Sequence, residues 1–379
     1  MRTVFVNARI LSPYRKFSGS VEVDNGKIAR VIEGDFTDSL DGAIVRDAKG
    51  LYLAPGFVEL HTHGGGGYDF LDGSIEAVAQ GCRMHLTHGT TALLPTTLSS
   101  TDDELFKNLD IIRRAADTCD NMPEILGVHL EGPYFSPQQN MAQDKRYIKV
   151  PNPEEYKRIF ARCPTIKIWS VAPELPGALQ MGRWMQDNGI VASIGHSNAV
   201  YEDVARAREN GYKMLTHFFN GMSRLVRENA IMHLGVSESG LCFDDLTAEI
   251  IADGCHLPPS LLKLIYKVKG PDGICLVTDS MRAAGTNVRE SVLGSLKNGQ
   301  RVEIDGGVAY MPGRTSFGGS ISTADRLVRT MYKQAEVPLE DAVKMMTVTP
   351  ARMLHVDHRI GSIACGQDAD ILLFDEDIN

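Results

Sequence analysis

Leu53-Ala-Pro-Gly-Phe-Val-Glu-Leu-His-Thr-His63, followed by Gly64, Gly65, Gly66 and Gly67, is the stretch on which the reading of the fold turns. An apolar run ends in two histidines one residue apart. Side chains at i and i+2 of a strand share a face, so His61 and His63 converge where the strand stops. The glycines behind them remove side-chain bulk and permit positive φ, which lets a ligand or metal approach the backbone closely. The plain alternative is a buried strand, a chance histidine pair and an ordinary loop.

The chain on either side separates these readings. Upstream, residues 1–52 read as β. Thr3-Val-Phe-Val6 and Ala8-Arg-Ile-Leu11 are short apolar runs, and Val21-Glu-Val-Asp24 and Lys27–Ile32 flank the hairpin signal Asn25-Gly26. Downstream, apolar strands alternate with helical stretches. The strands are Gly89–Thr97, Ile125–Glu131, Ile166–Ala172, Val191–His196, Met214–His217, Leu246–Asp253 and Ile274–Asp279. Thr101-Asp-Asp-Glu104 is a capping box opening a helix to about Thr118. Repeated strand–loop–helix units predict a parallel sheet with helical crossovers, and about eight strands favour closure into a (β/α)8 barrel. After Asp279, glycine-punctuated β-like runs at Arg301–Ile304 and Val308–Met311 read as an insertion or returning strands. Helices follow at Thr323–Lys333 and Leu339–Met346, and Gly361–Asp375 is β again. The expected architecture is a TIM-like barrel over residues 54–348, with a small β-sandwich domain built from residues 1–53 and 349–379.

Composition narrows the partners. The 379 residues are 43% hydrophobic and carry a net charge of −9, so the overall field repels nucleic acid and anionic membranes. A phosphorylated substrate must find local positive charge. No apolar run approaches the ~20 residues of a membrane-spanning helix. Seven scattered cysteines without a Cys-x-x-Cys pair argue for reduced thiols and a cytoplasmic protein.

Several strands end in a side chain suited to metal or proton chemistry: His61 and His63, Glu131, His196, His217 and Asp279, with His256 in a loop after another strand. In a (β/α)8 barrel such strand ends meet in one mouth. Imidazole nitrogen and carboxylate oxygen suit zinc, iron or another divalent transition metal. Taken alone, Asp279 fits a helix cap and His196 or His217 an ordinary polar residue. A lone carboxylate at the end of the apolar strand before Glu131 is costly, which favours a ligand there. His85, His88, His129, His233, His355 and His358 default to core or surface, with His129 sharing the Glu131 face.

These motifs carry a resemblance. Pro55–Gly64 resembles the opening of the amidohydrolase superfamily. His129-Leu-Glu-Gly-Pro133, Gly195–Ala199, Thr216–Asn220, Ala252-Asp-Gly-Cys-His256 and Leu276–Asp279 are similar, in order, to motifs of the N-acetylglucosamine-6-phosphate deacetylase family, as are Thr347–Arg352 and Gly361–Asp370. The resemblance implies that Glu131, His196 and His217 hold the principal divalent ion and His61 and His63 a second, with Glu131 bridging. It implies that Asp279 is general base and then acid, and that His256 touches the sugar or polarises the amide carbonyl. Asn220, Gly221 and Ala142 would meet the substrate, a phosphorylated N-acetyl-hexosamine. Arg227 would reach the partner's active site in a homodimer, and Arg224 is a second basic candidate.

Three substrate-side stretches depart from the family pattern: Asn220-Gly-Met-Ser223, Met141-Ala-Gln143 and Ser280-Met-Arg-Ala283. They leave open the galactosamine epimer or another amidohydrolase activity, such as an N-acyl-amino-acid deacylase. A sensor on the same fold would have lost ligands or the aspartate, and none is lost.

Overall fold

The computed structural model describes residues 1–379. Eight parallel strands form the barrel: β1 (Phe57–Thr62), β2 (Thr90–Thr97), β3 (Val128–Glu131), β4 (Ile166–Val171), β5 (Val191–Ile194), β6 (Tyr212–Leu215), β7 (Thr247–Ile250) and β8 (Ile274–Leu276). Each pairs with the next in chain order. The seam closes beyond β8, where the Asp279 N–H donates to the His61 carbonyl and the His63 N–H to the Ser280 carbonyl, both at 2.9 Å. The expected barrel is present.

Strand alternation divides each strand into an outer and an inner face. Outward residues such as Leu130, Trp169, Ile194 and Leu276 pack with the surrounding helices in the large core. The helix Ala324–Lys333 shows the match: Ala324, Leu327, Val328 and Met331 recur at helical spacing and are buried. Burying each of the larger ones contributes about 1.5–3 kcal/mol. Inward residues form two levels. Val58, Leu60, Ala92, Leu94, Ile168, Met214 and Cys275 make an apolar level together with Ala351, Leu354 and Ile360 from the segment after the barrel. Thr96, His129, Ser170, Ser193, Thr216 and Glu249 make a polar one, also buried.

Both chain ends build the small β-sandwich domain. Strands Arg2–Ser12, Arg15–Asp24, Lys27–Glu33, Ile44–Asp47, Tyr52–Pro55 and Ile371–Phe374 join in one ladder, bent at the irregularity between Phe5 and Ala8. Its core is separate, with Ile10, Val21, Ile28, Leu53 and Ile363. The turn at Asn25-Gly26 has φ of 49° and 77°, the two positive values that a type I′ hairpin requires. We propose residues 54–348 as the barrel domain and residues 1–53 with 349–379 as the two parts of the sandwich domain, although Ala351, Leu354 and Ile360 of the second part pack into the barrel.

The local differences have physical causes. The single strand expected over Ile125–Glu131 is two pieces, Glu124–Ile125 and β3, because Gly127 breaks it at φ 152°. Of Gly361–Asp375 only Ile371–Phe374 is strand. The glycines after His63 do not hold a mouth open. Gly64 and Gly65 are buried, and a Cβ on Gly64 would stand 2.1 Å from the Tyr68 carbonyl oxygen, one on Gly65 1.9 Å from Met84 Cε. They permit close packing of chain on chain.

His85, on the helix Ile75–Leu86, is sealed beneath that glycine segment, with Nε2 2.9 Å from Thr62 Oγ1 and 3.1 Å from the Gly64 carbonyl oxygen. Burial pushes its pKa down to about 4. The unfolded histidine, at about 6.5, takes a proton first as pH falls, so stability contributed here is full above about 6.5 and is lost toward about 4. His85→Gln is expected to narrow the gap in denaturation midpoint between about pH 7 and about pH 5. An unchanged gap contradicts the assignment.

Candidate active site

All the candidate site residues except His61, Arg224 and Arg227 line one pocket at the carboxyl ends of the strands: His63, Glu131, Ala142, His196, His217, Asn220, Gly221, His256 and Asp279. Leu98, Gln143, Leu293, Phe317 and Gly319 also line it. A larger groove of about 380 Å³ adjoins it and shares Leu98, Ala142, Gln143 and Leu293. The convergent carboxylates and imidazoles lie in the smaller space.

Three strand-end residues adopt left-handed backbone, His196 at φ 46°, His217 at 30° and Asp279 at 44°. That region is costly for non-glycine residues and clusters at functional sites. The turn aims each side chain inward. Glu131 Oε1 lies 2.9 Å from His196 Nε2 and 3.0 Å from His217 Nε2, and the two nitrogens are 3.1 Å apart. His196 Nδ1–H donates to the Gln139 carbonyl at 2.8 Å, which turns its Nε2 lone pair into the site. On the other side, His63 Nε2 is 3.1 Å from Asp279 Oδ1 and 3.4 Å from Glu131 Oε2; His61 Nε2 is 3.5 Å and 3.7 Å from the same atoms. His61 lies just beneath the pocket floor, fully buried.

A metal fits these donors. Glu131/His196/His217 and His61/His63/Asp279 each converge to ligand-bite distance. Ligands at the ~2.0–2.1 Å bonds of tetrahedral zinc stand about 3.3 Å apart, close to the separations seen. Two imidazole nitrogens facing each other at 3.1 Å make poor hydrogen-bond partners and good co-ligands. His61 Nε2 is buried without a hydrogen-bond partner. Electrostatics agree. Burial opposes ionisation of Glu131, but His196, His217 and His61 hold its carboxyl well below the usual range. Burial likewise opposes a charge on His61, yet Asp279, Glu131 and Glu249 push its pKa well above normal, so a positive charge is favoured there.

His256 Nδ1–H donates to Asp253 Oδ2 at 2.7 Å, and Asp253 Oδ1 also accepts the Cys255 and His256 backbone N–H groups. This fixes the ring against Phe317, centroids 4.5 Å apart. Asn220 Nδ2 donates to the His217 and Phe218 carbonyls. Gly221, at φ 56°, stands where a Cβ would be 3.0 Å from His196 Nδ1. Arg227 is elsewhere. It sits exposed on the hairpin Val226–Glu228/Ile231–His233 and donates only to the Ala230 carbonyl. Arg224 is exposed too, donating to the Phe219 carbonyl.

One of the departing stretches is structural, and another reaches the site. Arg282 is buried and spans Asp72, through two hydrogen bonds of 3.1 and 2.8 Å, and the Val292 and Gly294 carbonyls. It pins the strand Glu290–Leu293 to Asp72 and the Gly67 carbonyl, and does not enter the pocket. Gln143 Nε2 donates to Glu131 Oε2 at 2.9 Å, while its Oε1 accepts the Ser99 N–H.

The amidohydrolase family model matches residues 52–379. The chain belongs to the amidohydrolase family. Within that family it is 33% identical to the N-acetylglucosamine-6-phosphate deacetylase of Lysinibacillus sphaericus, over 94% of this chain and 89% of that protein. The solved N-acetylglucosamine-6-phosphate deacetylase of Pasteurella multocida superposes with a TM-score of 0.92 at 30% identity, covering 100% of this chain and 97% of that one. A mutant of the Mycobacterium smegmatis enzyme, solved with N-acetyl-D-glucosamine-6-phosphate, gives 0.90 at 26% identity over 100% and 96% of the two chains. The chain is thus an amidohydrolase enzyme of the deacetylase branch.

Sequence reasoning missed Asp253, Glu249, Leu293, Phe317 and Gly319. A charged residue inside an apolar strand marks Glu249 by the logic that marked Glu131. Leu293, Phe317 and Gly319 sit on the insertion and carry no chemical signal of their own.

Proposed function

We propose that this chain hydrolyses the acetamide of N-acetyl-D-glucosamine 6-phosphate to D-glucosamine 6-phosphate and acetate, a step of amino-sugar catabolism in the cytoplasm. The observation that carries it is the Asp279 carboxylate beside the Glu131/His196/His217 cluster, in a chain with full-length likeness to deacetylases of that substrate. Glu131, His196 and His217 would hold one divalent ion, zinc or iron by donor type, and His61 with His63 a second. Such an ion supplies Lewis-acid polarisation and makes water more acidic.

The chain's own groups do the rest. Asp279 Oδ1 takes a proton from water as its oxygen bonds to the acetamide carbon. It then delivers that proton to the sugar nitrogen as the C–N bond breaks, so that an amine leaves rather than an amide anion. Burial works against the Asp279 carboxylate, but the neighbouring His61 and His63 rings hold its pKa down to about 2, which keeps it ionised at neutral pH. His256, its Nδ1–H committed to Asp253, presents the Nε2 lone pair as an acceptor for a sugar hydroxyl. Leu98, Leu293 and Phe317 exclude water around the acyl group.

The phosphate falls to Asn220, the Gly221 backbone and Arg227 of a second copy. The hairpin bearing Arg227 exposes Leu225, Val226, Ile231 and Met232, an apolar surface suited to a homodimer. Arg227→Ala is expected to raise KM for the phosphorylated sugar about 10–100-fold, the worth of a hydrogen bond to a charged group, with kcat little changed. An unchanged KM contradicts the role. With Arg282 committed to structure, the galactosamine epimer has less support than the departures suggested. Turnover of the two epimeric 6-phosphates side by side tests this, and preference for galactosamine overturns the choice.

A further inference from the structure

We propose that Glu249 is a positioning residue for His61 and decides whether the His61/His63 side of the centre holds an ion. The inference rests on the metal-dependent reading above and goes beyond its ligand set. Glu249 lies on β7, faces the barrel interior and is fully buried. Its Oε2 accepts from His61 Nδ1–H at 3.1 Å and from the His217 backbone N–H at 3.4 Å. One carboxylate thus ties a ring on one side of the centre to the backbone of a residue on the other.

Packing alone does not explain it. Glu249 Oε1 is buried without a hydrogen-bond partner. His129 Nδ1 is 4.0 Å away and already donates to the Leu60 carbonyl at 3.0 Å. A half-satisfied carboxylate in a core is costly, and such groups are kept where they have a task. Glu59, the other interior carboxylate nearby, accepts backbone N–H groups of His61 and Thr278 and does not touch the ring.

The task follows from the tautomer. With its proton on Nδ1, facing Glu249, His61 turns a free Nε2 lone pair toward Asp279 and Glu131. His63 and His196 are oriented too, but by the neutral carbonyls of Thr96 and Gln139. Among these rings only His61 has a carboxylate behind it. That makes His61 Nε2 more basic and places the negative charge directly behind that ring.

The test is zinc titration of the metal-stripped chain against a competing chelator, for wild type and Glu249→Gln, with bound zinc per chain counted by elemental analysis. Glutamine keeps the size and can accept from the His217 N–H, but it removes the charge. Wild type is expected to take a tighter and a weaker equivalent. In the variant the tighter one is unchanged, which also reports an intact centre, and the dissociation constant of the weaker rises about 10–100-fold. In a His61→Gln background, Glu249→Gln should add no further loss at the weaker site. An unchanged weaker constant, an equal rise in both, or a wild type that takes a single equivalent overturns the role of Glu249. A wild type that takes no zinc or other divalent ion overturns the metal reading instead.

Discussion

Asp279→Asn is expected to lower kcat by about 10²–10⁴-fold, the usual worth of a positioned general acid–base, while the chain keeps its tighter ion. The two effects separate because Asp279 is not in the Glu131/His196/His217 cluster. Asparagine matches aspartate in shape, and the backbone at Asp279 is held from both sides, its N–H by the His61 carbonyl and its carbonyl by the Ser320 N–H. The left-handed φ of 44° is one that asparagine tolerates. The variant should therefore fold, bind substrate with near-normal KM and fail at proton transfer. Steady-state kinetics with metal analysis of the same sample checks this. A near-normal rate removes Asp279 from the mechanism, and a loss of the tighter ion makes it a ligand instead of a base.

Glu131→Gln should have the other large effect, by a different route. Glu131 Oε1 is the one anionic donor between His196 Nε2 and His217 Nε2. An uncharged amide there leaves two neutral imidazoles, and affinity for the principal ion should fall by more than the ~10–100-fold that loss of an outer partner costs. Activity should fall to background and return only in part with excess metal. Glu131 is buried and also accepts from Gln143, so a denaturation midpoint must accompany the assay. Full activity at ordinary metal concentration contradicts the ligand assignment.

What was legible in the sequence follows from how far each signal acts. The hairpin at Asn25-Gly26 and the helix start at Thr101 are local backbone requirements: the hairpin is present, and Thr101 Oγ1 caps the helix by accepting the Glu104 N–H, although the Glu104 carboxylate accepts from the Thr101 hydroxyl and not from its N–H. The barrel was legible because each strand–helix unit repeats one pattern. Glu131 stood out because a charge closing an apolar strand is anomalous. Other features depend on tertiary neighbours. The four glycines read as freedom, and Gly66 and Gly67 do take positive φ, but at Gly64 and Gly65 Tyr68 and Met84 pack where side chains would be. Arg282 lies in a stretch read as substrate-side, but its hydrogen bonds go to Asp72 and to the Val292 and Gly294 carbonyls of the segment that follows it. Phe317 reaches the pocket only through that insertion's fold. The Arg227 role depends on a second chain, and a single copy leaves that side chain at the surface.

Acetate release by the metal-stripped and zinc-restored enzyme, with N-acetylglucosamine 6-phosphate beside unphosphorylated N-acetylglucosamine, tests the central claim most directly. The prediction is turnover of the phosphorylated sugar by the restored enzyme, little turnover after stripping, and a much lower kcat/KM without the phosphate. Equal rates on the two sugars, or a stripped enzyme as active as the restored one, would contradict it.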